Sequence, residues 1–371
     1  LIDLIFSSFH YFFSFILVIS VIVFVHELGH YLVARWAGVK IETFSIGFGK
    51  EIWGFNDKSG TRWKFSVLPF GGYVKMFGDS DPASNPDVEK LEAMTEAERS
   101  VAFEYKPLYK KAAIVAAGPA INFLFAIVIM IYFFLAYGFP NTPAVAGGIM
   151  PDSAAEKAGI QAGDKFLTID GRSISNFKDM QSVVRLKPGQ PLDTEIERGG
   201  EVIKLALTPQ LKKTKDIFGN EVEIGLIGVT TTEVVYEEIG LGGALVKSVT
   251  ETYSICRDTL IAMWQIITGV RSVDELSGPV KIAQYSGQST QQGMITVLWF
   301  MAVLSINLGL INLFPIPMLD GGHLMYYTVE AIRGRPVAEN VQEWGMRIGF
   351  ALLITLMIFT TVNDIAELKI F

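Results

Sequence analysis

His26, Glu27 and His30 stand together in the stretch FVHELGHYLV, residues 24–33. Two histidines four apart share one face of a helix, so both imidazoles can point at one metal ion. The glutamate beside them can take a proton from an attacking water. This is the HExxH arrangement, in which two histidines bind zinc and the glutamate acts as general base. By residue frequency alone it arises in roughly one chain of this size per hundred. Chance is a poorer account here, because the motif closes a long apolar run, where ionisable groups are rare and costly. The first cation after it, Arg35, lies nine residues past His26, about 13 Å along a helix. The motif therefore belongs below a membrane surface.

Zinc needs at least a third protein ligand. The other histidines are His10 and His323. His10 is more than three helical turns from His26 and reads as an interfacial residue. Asp320 is favoured, in NLGLINLFPIPMLDGGHL, residues 307–324. Pro315 and Pro317 cannot continue a helix, and broken backbone at membrane depth survives only inside protein or beside a wet cavity. Gly321 and Gly322 let the chain turn tightly after the acid. By spacing alone, an Asp-Gly turn at a helix end fits equally well. Asn307 and Asn312, two amides in an apolar span, tip the reading toward a functional site. His323 either adds a ligand or faces water.

The elements that must carry these residues are long and oily. The chain has 371 residues, 50% of them hydrophobic, and a mean hydropathy of +0.37. Apolar runs cover Leu4–Val25, Ala112–Pro140, Gly293–Leu319 and Ile348–Asn363. A bilayer core takes about 20 apolar residues as a helix, so four transmembrane segments are expected. The first run is longer than a signal-peptide core and has no small-residue cleavage site before the His/Glu cluster, so it is expected to be retained. A net charge of −7 argues against nucleic acid as a partner. The single cysteine, Cys256, excludes an intrachain disulfide framework and a cysteine-rich zinc finger. Arg35, Lys40, Lys106, Lys110, Lys111, Arg333, Arg335 and Arg347 flank the spans. The positive-inside tendency puts 36–111 and 320–347 in the cytoplasm, with both termini and 141–292 outside.

Between the spans, FSIGFGKEIWGF and TRWKFSVLPFGGYVKMFG read as hairpin strands with glycine-marked bends. A helical stretch is expected near DVEKLEAMTEAERS. Residues 143–235 read as one small α+β domain. SAAEKAGIQAGD is a short helix ended by Gly159, KFLTIDGRSI a strand pair around an Asp-Gly turn, FKDMQSVVRL an amphipathic helix, and LDTEIERGGEVIKLALTP a Gly-Gly hairpin. Val246, Val249, Tyr253, Cys256, Leu260, Met263 and Ile267 step by three and four. They predict one apolar helix face, packed on the domain or lying on the outer leaflet.

HELGH in a first span, GPAIN (118–122) in a second and NLFPIPMLDGG (312–322) in a third together resemble the site-2 protease family of intramembrane zinc metalloproteases. The likeness is closest to the bacterial regulator-of-sigma-E protease branch and runs over nearly the whole chain. LPFGGYVKMFGD (68–79) resembles that branch's membrane-associated β-hairpin, AEKAGIQAGDKFLTIDG (155–171) its PDZ domain, and LSGPVKIA (276–283) part of its C-terminal half. Several members of the branch carry two PDZ domains, whereas 143–235 has room for one. The resemblance implies His26, His30 and Asp320 as ligands of one zinc ion, Glu27 as catalytic base, and Asn307 and Asn312 as holders of unwound substrate.

The expected fold is a polytopic α-helical membrane protein with four transmembrane helices, a β-hairpin region and one extracytoplasmic α+β PDZ domain. Its order is a first span with HExxH (1–36), a cytoplasmic β-hairpin region and polar loop (37–111), a second span (112–140) and the PDZ domain (143–235). An amphipathic helix and linker (236–292), a third span with LDGG (293–322), a cytoplasmic loop (323–346) and a fourth span (347–371) follow. The expected function is zinc-dependent cleavage of single-span membrane proteins, such as an anti-sigma factor, in a bacterial cytoplasmic membrane. A site-1 protease acts on the same substrate first, and the active site lies near the cytoplasmic side. A membrane PDZ scaffold and a metal transporter are the alternatives. A transporter would spread ionisable groups through the bilayer, and a scaffold has no use for HELGH.

Overall fold

The computed structural model describes residues 2–79, 91, 93–215, 221–231, 235–270, 272–273 and 276–367. Among these, four helices are long and apolar enough to cross a membrane. The chain divides into two compact units, 1–129 with 276–371, and 130–275.

Helix α1 (Ile2–Trp36) carries the first apolar run. Strands β1 (Ile41–Asn56) and β2 (Arg62–Met76) follow, as the glycine-marked pattern predicts. They are antiparallel but register in more than one place. Phe44 is matched with both Val74 and Trp63, and Ser45 with both Tyr73 and Lys64. Residues 43–46 therefore have β2 on each flank, while among the described residues 72–76 pairs with β1 alone. Phe44 is fully buried, stacks on Trp63 at 4.2 Å between centroids, and meets Phe24 and Tyr31 of α1 edge-on. This aromatic contact fastens the sheet to α1. The helical stretch expected near 87–100 falls partly outside the described residues. Within them, α2 (Glu96–Val101) starts at Thr95, in a capping box with Glu98. Helix α3 (Leu108–Tyr137) is the second membrane-length helix.

The second unit follows the local patterns closely. It contains β3 (Phe139–Pro140), β4 (Gly148–Ile149), α4 (Ala154–Lys157), β5 (Lys165–Ile169), β6 (Arg172–Ser173), α5 (Phe177–Arg185), β7 (Leu192–Arg198), β8 (Glu201–Leu207), β9 (Gln210–Lys215), β10 (Glu221–Leu226), β11 (Val229–Thr230) and β12 (Tyr236–Glu237). Four strands form a sheet in the order β6-β5-β7-β8. Asp170 and Gly171 both have positive φ, +52° and +74°, which is what a tight hairpin turn demands. Phe166, Ile169, Met180, Leu192, Ile196 and Leu207 form the core of this unit. Asp164, also buried, is held by Arg198, whose Nε lies at 2.7 Å and Nη2 at 2.6 Å.

Helix α6 (Leu241–Ile267) confirms the predicted period but corrects one reading of it. Its buried residues are Ala244, Ser248, Thr252 and Gln265. Val246, Val249, Tyr253, Leu260 and Ile267 are exposed. The helix meets the domain through its polar side, with Glu251 on Lys178 at 2.5 Å and Gln265 donating to the Leu186 carbonyl. Periodicity locates an apolar face but not the medium it meets.

Residues 236–292, expected as an amphipathic helix and linker, hold a second helix after α6. Helix α7 (Pro279–Gln292) belongs with the membrane-length helices. Its buried Ser286, Gly287 and Ser289 lie on the side that packs on α1. Thr290 Oγ1 sits 2.8 Å from His10 Nε2 and 2.9 Å from Ser14 Oγ. His10 is thus a helix-packing residue, far from the HELGH chemistry. Helix α8 (Met294–Asn312) is the third membrane-length helix. It stops short of the 293–322 span expected, because Pro315 and Pro317 cannot extend it. The chain resumes in α9 (Asp320–Arg333) and ends in α10 (Glu339–Glu367), which begins well before the predicted apolar start. Asp364 of α10 is completely buried. It accepts the N–H groups of Gly278 (3.0 Å) and Lys281 (2.9 Å) and so caps α7.

Candidate metal centre and active site

Helix α1 presents two neighbouring faces. His26 and His30 point toward α3. Glu27 and Tyr31, each one residue on, point toward the sheet, where a Cβ on Gly72 would stand 3.2 Å from Glu27 Cγ and Tyr31 packs on Trp63. Ligands and base are therefore held by different elements.

The α3 side is built for close approach. A Cβ on Gly29 would run into the Ala117 carbonyl, and a Cβ on Gly118 would run into the His30 ring and stand 2.8 Å from His26 Cε1. His30 Nδ1–H donates to the Ile114 carbonyl at 2.8 Å. Ile114 can only accept, so the lone pair of His30 is on Nε2, facing the site. The Asn122 amide lies 3.0 Å from His26 Nδ1, and its oxygen is buried without another partner. Amide ends are interchangeable by a half turn. With the oxygen toward the ring, Asn122 accepts from His26 Nδ1–H and leaves the Nε2 lone pair free as well.

Asp320 arrives from the other side as the first residue of α9. The sequence reading assigned Gly321 and Gly322 to a tight turn. Both instead lie inside the first turn of α9, and the positive φ of the segment is at Met318, +88°. The glycines serve contact: a Cβ on Gly321 would hit the Leu313 carbonyl, and one on Gly322 would come 2.5 Å from the Ile316 carbonyl. Residues 313–319 are thus packed under the helix that carries the acid. Gly349 of α10 touches Pro317 from outside, with no room for a Cβ.

The three ligand atoms converge. His26 Nε2 is 3.2 Å from His30 Nε2 and 3.2 Å from Asp320 Oδ2, and His30 Nε2 is 3.6 Å from Asp320 Oδ1. Tetrahedral bonds of about 2.0–2.1 Å put neighbouring ligands about 3.3–3.4 Å apart, so the spacing fits zinc. The buried Asp320 Oδ2 also makes no hydrogen bond, and two free imidazole lone pairs facing a carboxylate call for a cation between them. Among the described residues, this is the group of histidine and acidic side chains able to hold a metal.

A cavity of about 920 Å³ opens beside this group. Glu27, Asn312 and His323 line it, as do Gly72, Tyr73 and Val74 of the half-paired β2 segment. Asn312 therefore reaches the site. Asn307 is on the same helix but is not among the cavity residues. His323 lines the wall and stays outside the three-ligand group. Asn122, unassigned by the sequence reading, is the missed residue. Replacing it with alanine is expected to weaken metal binding about 10- to 100-fold while leaving the fold intact. Competition with a chelator would measure this.

A multi-pass membrane protein with such a site belongs among the membrane metallopeptidases. The model of Peptidase family M50 matches residues 14–356, and the chain belongs to that family. This bears out the site-2 protease resemblance. The chain is 46% identical over 356 residues to a Rhizobium meliloti (strain 1021) protein named "Putative zinc metalloprotease", covering 95% of each. A protein of the same descriptive name from Agrobacterium fabrum is 44% identical over 362 residues, 96% of each. Metalloprotease MmpA of Caulobacter vibrioides is 34% identical over 381 residues, 96% of each.

Proposed function

We propose that the protein is an intramembrane zinc metalloprotease that cuts the transmembrane segment of single-span membrane proteins. The observation that carries this reading is one cavity shared by the three converging ligands, Glu27 and the half-paired edge of β2, within membrane-length helices. The relatives' names support zinc as the metal. Zinc held by His26, His30 and Asp320 would lower the pKa of a coordinated water and polarise the scissile carbonyl.

The chain's own residues do the rest. A transmembrane helix shields its amides in its own hydrogen bonds, so the substrate must unwind near the cut. Residues 72–74 pair with β1 and line the cavity beside Glu27, a place suited to receive the unwound stretch as an added strand. Asn312, on the cavity wall, bonds amides freed by unwinding. Glu27 removes the proton of the attacking water and delivers it to the leaving amine.

The α+β domain is of PDZ type, and its place is outside a bacterial cytoplasmic membrane. It acts as a gate or sensor rather than a docking site, so that a first protease must trim the substrate before this one cuts. This is regulated proteolysis, with an anti-sigma factor as a fitting substrate. Capture of a peptide along β10 would need a trough beside α5. At Gly225 the strand instead lies directly on the Val184 carbonyl and 3.3 Å from the Pro188 nitrogen, as measured from a Cβ position.

Two experiments test the reading. Purified protein in detergent should cut a single-span substrate, with mass spectrometry placing the cut inside the span; a cut in a soluble flank would refute it. Deleting 143–235 should permit cutting of untrimmed substrate. A fall in cutting would favour docking instead.

A further inference from the structure

The sheet that carries the substrate edge is joined to α1 by a cluster of hydrogen bonds at the β1–β2 turn. Asp57, in the β1–β2 turn, gathers four donors. Tyr31 Oη (2.9 Å) and Trp63 Nε1 (3.1 Å) donate to Oδ2. The N–H groups of Ser59 (2.8 Å) and Thr61 (2.9 Å) donate to Oδ1. Arg35 of α1 reaches the same turn through Ser59. Tyr31 is the residue after His30 and lies one turn from Glu27 on the sheet-facing side of α1. The opposite flank of the sheet lies directly against Glu27: Gly72 has no room for a Cβ beside Val23 and Glu27, and Val74 lines the same cavity as Glu27.

We infer that Asp57 is a positioning residue, a bolt that, through Tyr31 and Trp63, sets the place of the 72–76 edge relative to Glu27 and the metal ligands. The inference uses the proteolytic reading above for its assay. Neither Asp57 nor Tyr31 is a ligand, and the hydrogen bonds of the bolt go to Tyr31, Trp63, Ser59 and Thr61, none of them in the ligand group. Its effect is confined to where the sheet sits. A rigid edge matters because an error of about 1 Å in a reacting geometry can cost a hundredfold in rate. Burial pushes the Asp57 carboxyl up, but the bonds from Trp63, Thr61, Tyr31 and Ser59 outweigh it and hold the group down at about 2. Asp57 is therefore ionised across the working range, and its role is constant with pH.

The test uses the full-length protein with Tyr31→Phe, Asp57→Asn and the double variant. Tyr31→Phe keeps the ring against Phe44 and Trp63 and removes only the donor, which guards against simple misfolding. Each single variant is expected to bind metal like wild type and to lose about tenfold or more in kcat/KM for a single-span substrate, chiefly as a higher KM. The double variant should lose little more than either single, because both cut the same link. Three results would overturn the inference: unchanged kinetics, additive losses, or a fall in thermal stability with normal kcat and KM for the folded fraction. If wild type itself cuts nothing, the proteolytic reading fails. Metal content and substrate binding by the variants then still report on the bolt.

Discussion

Glu27→Gln should retain one metal ion per chain and lose cleavage by about 10²- to 10⁴-fold, the range that general acid–base catalysis contributes. Glutamine keeps the size of the side chain and its fit beside Gly72. It cannot take a proton at neutral pH. The three ligands come from other positions, so metal content should be that of wild type by elemental analysis. A variant that still cuts would remove Glu27 from the chemistry. One that loses its metal would make Glu27 structural.

Gly118→Ala should have a large effect for the addition of one methyl group. The added methyl would sit against the His30 ring and 2.8 Å from His26 Cε1. Neither ring can step aside freely, because Ile114 and Asn122 hold their far nitrogens. Overpacking of this kind costs about 1–3 kcal/mol. Borne by the metal-binding arrangement alone, that weakens affinity about 5- to 150-fold. Metal titration against a chelator, with thermal unfolding as control, would measure it. Wild-type affinity would mean that α3 yields where the packing shows it pinned.

The parts of this site that were legible in the sequence are those whose chemistry is out of place. His26, Glu27 and His30 stood out because ionisable groups are costly in an apolar run, and Asp320 because prolines broke the helix before it. What stayed hidden depends on who meets whom. Asn122 carries the same signal as Asn307 and Asn312, an amide in an apolar span, yet only contact shows that it serves His26. Gly321 and Gly322 read as a turn because glycine is permissive there, whereas they are small to let α9 lie on 313–317. Asn307 and Asn312 look equivalent along the chain, but helix rotation brings only Asn312 to the cavity. The apolar stripe of α6 was visible, and its outward direction was not.

Helix α10 carries none of the three ligands and not Glu27, yet it adds Gln342, Glu343 and Met346 to the cavity wall and closes over Pro317, with Gly345 and Gly349 against that residue. A chain cut before Glu339 would keep every residue of the chemistry and expose the broken segment that sets Asp320. Loss of this helix is therefore expected to act as an inactivating lesion at a distance, and a frameshift just before Glu339 should be as damaging as one in HELGH.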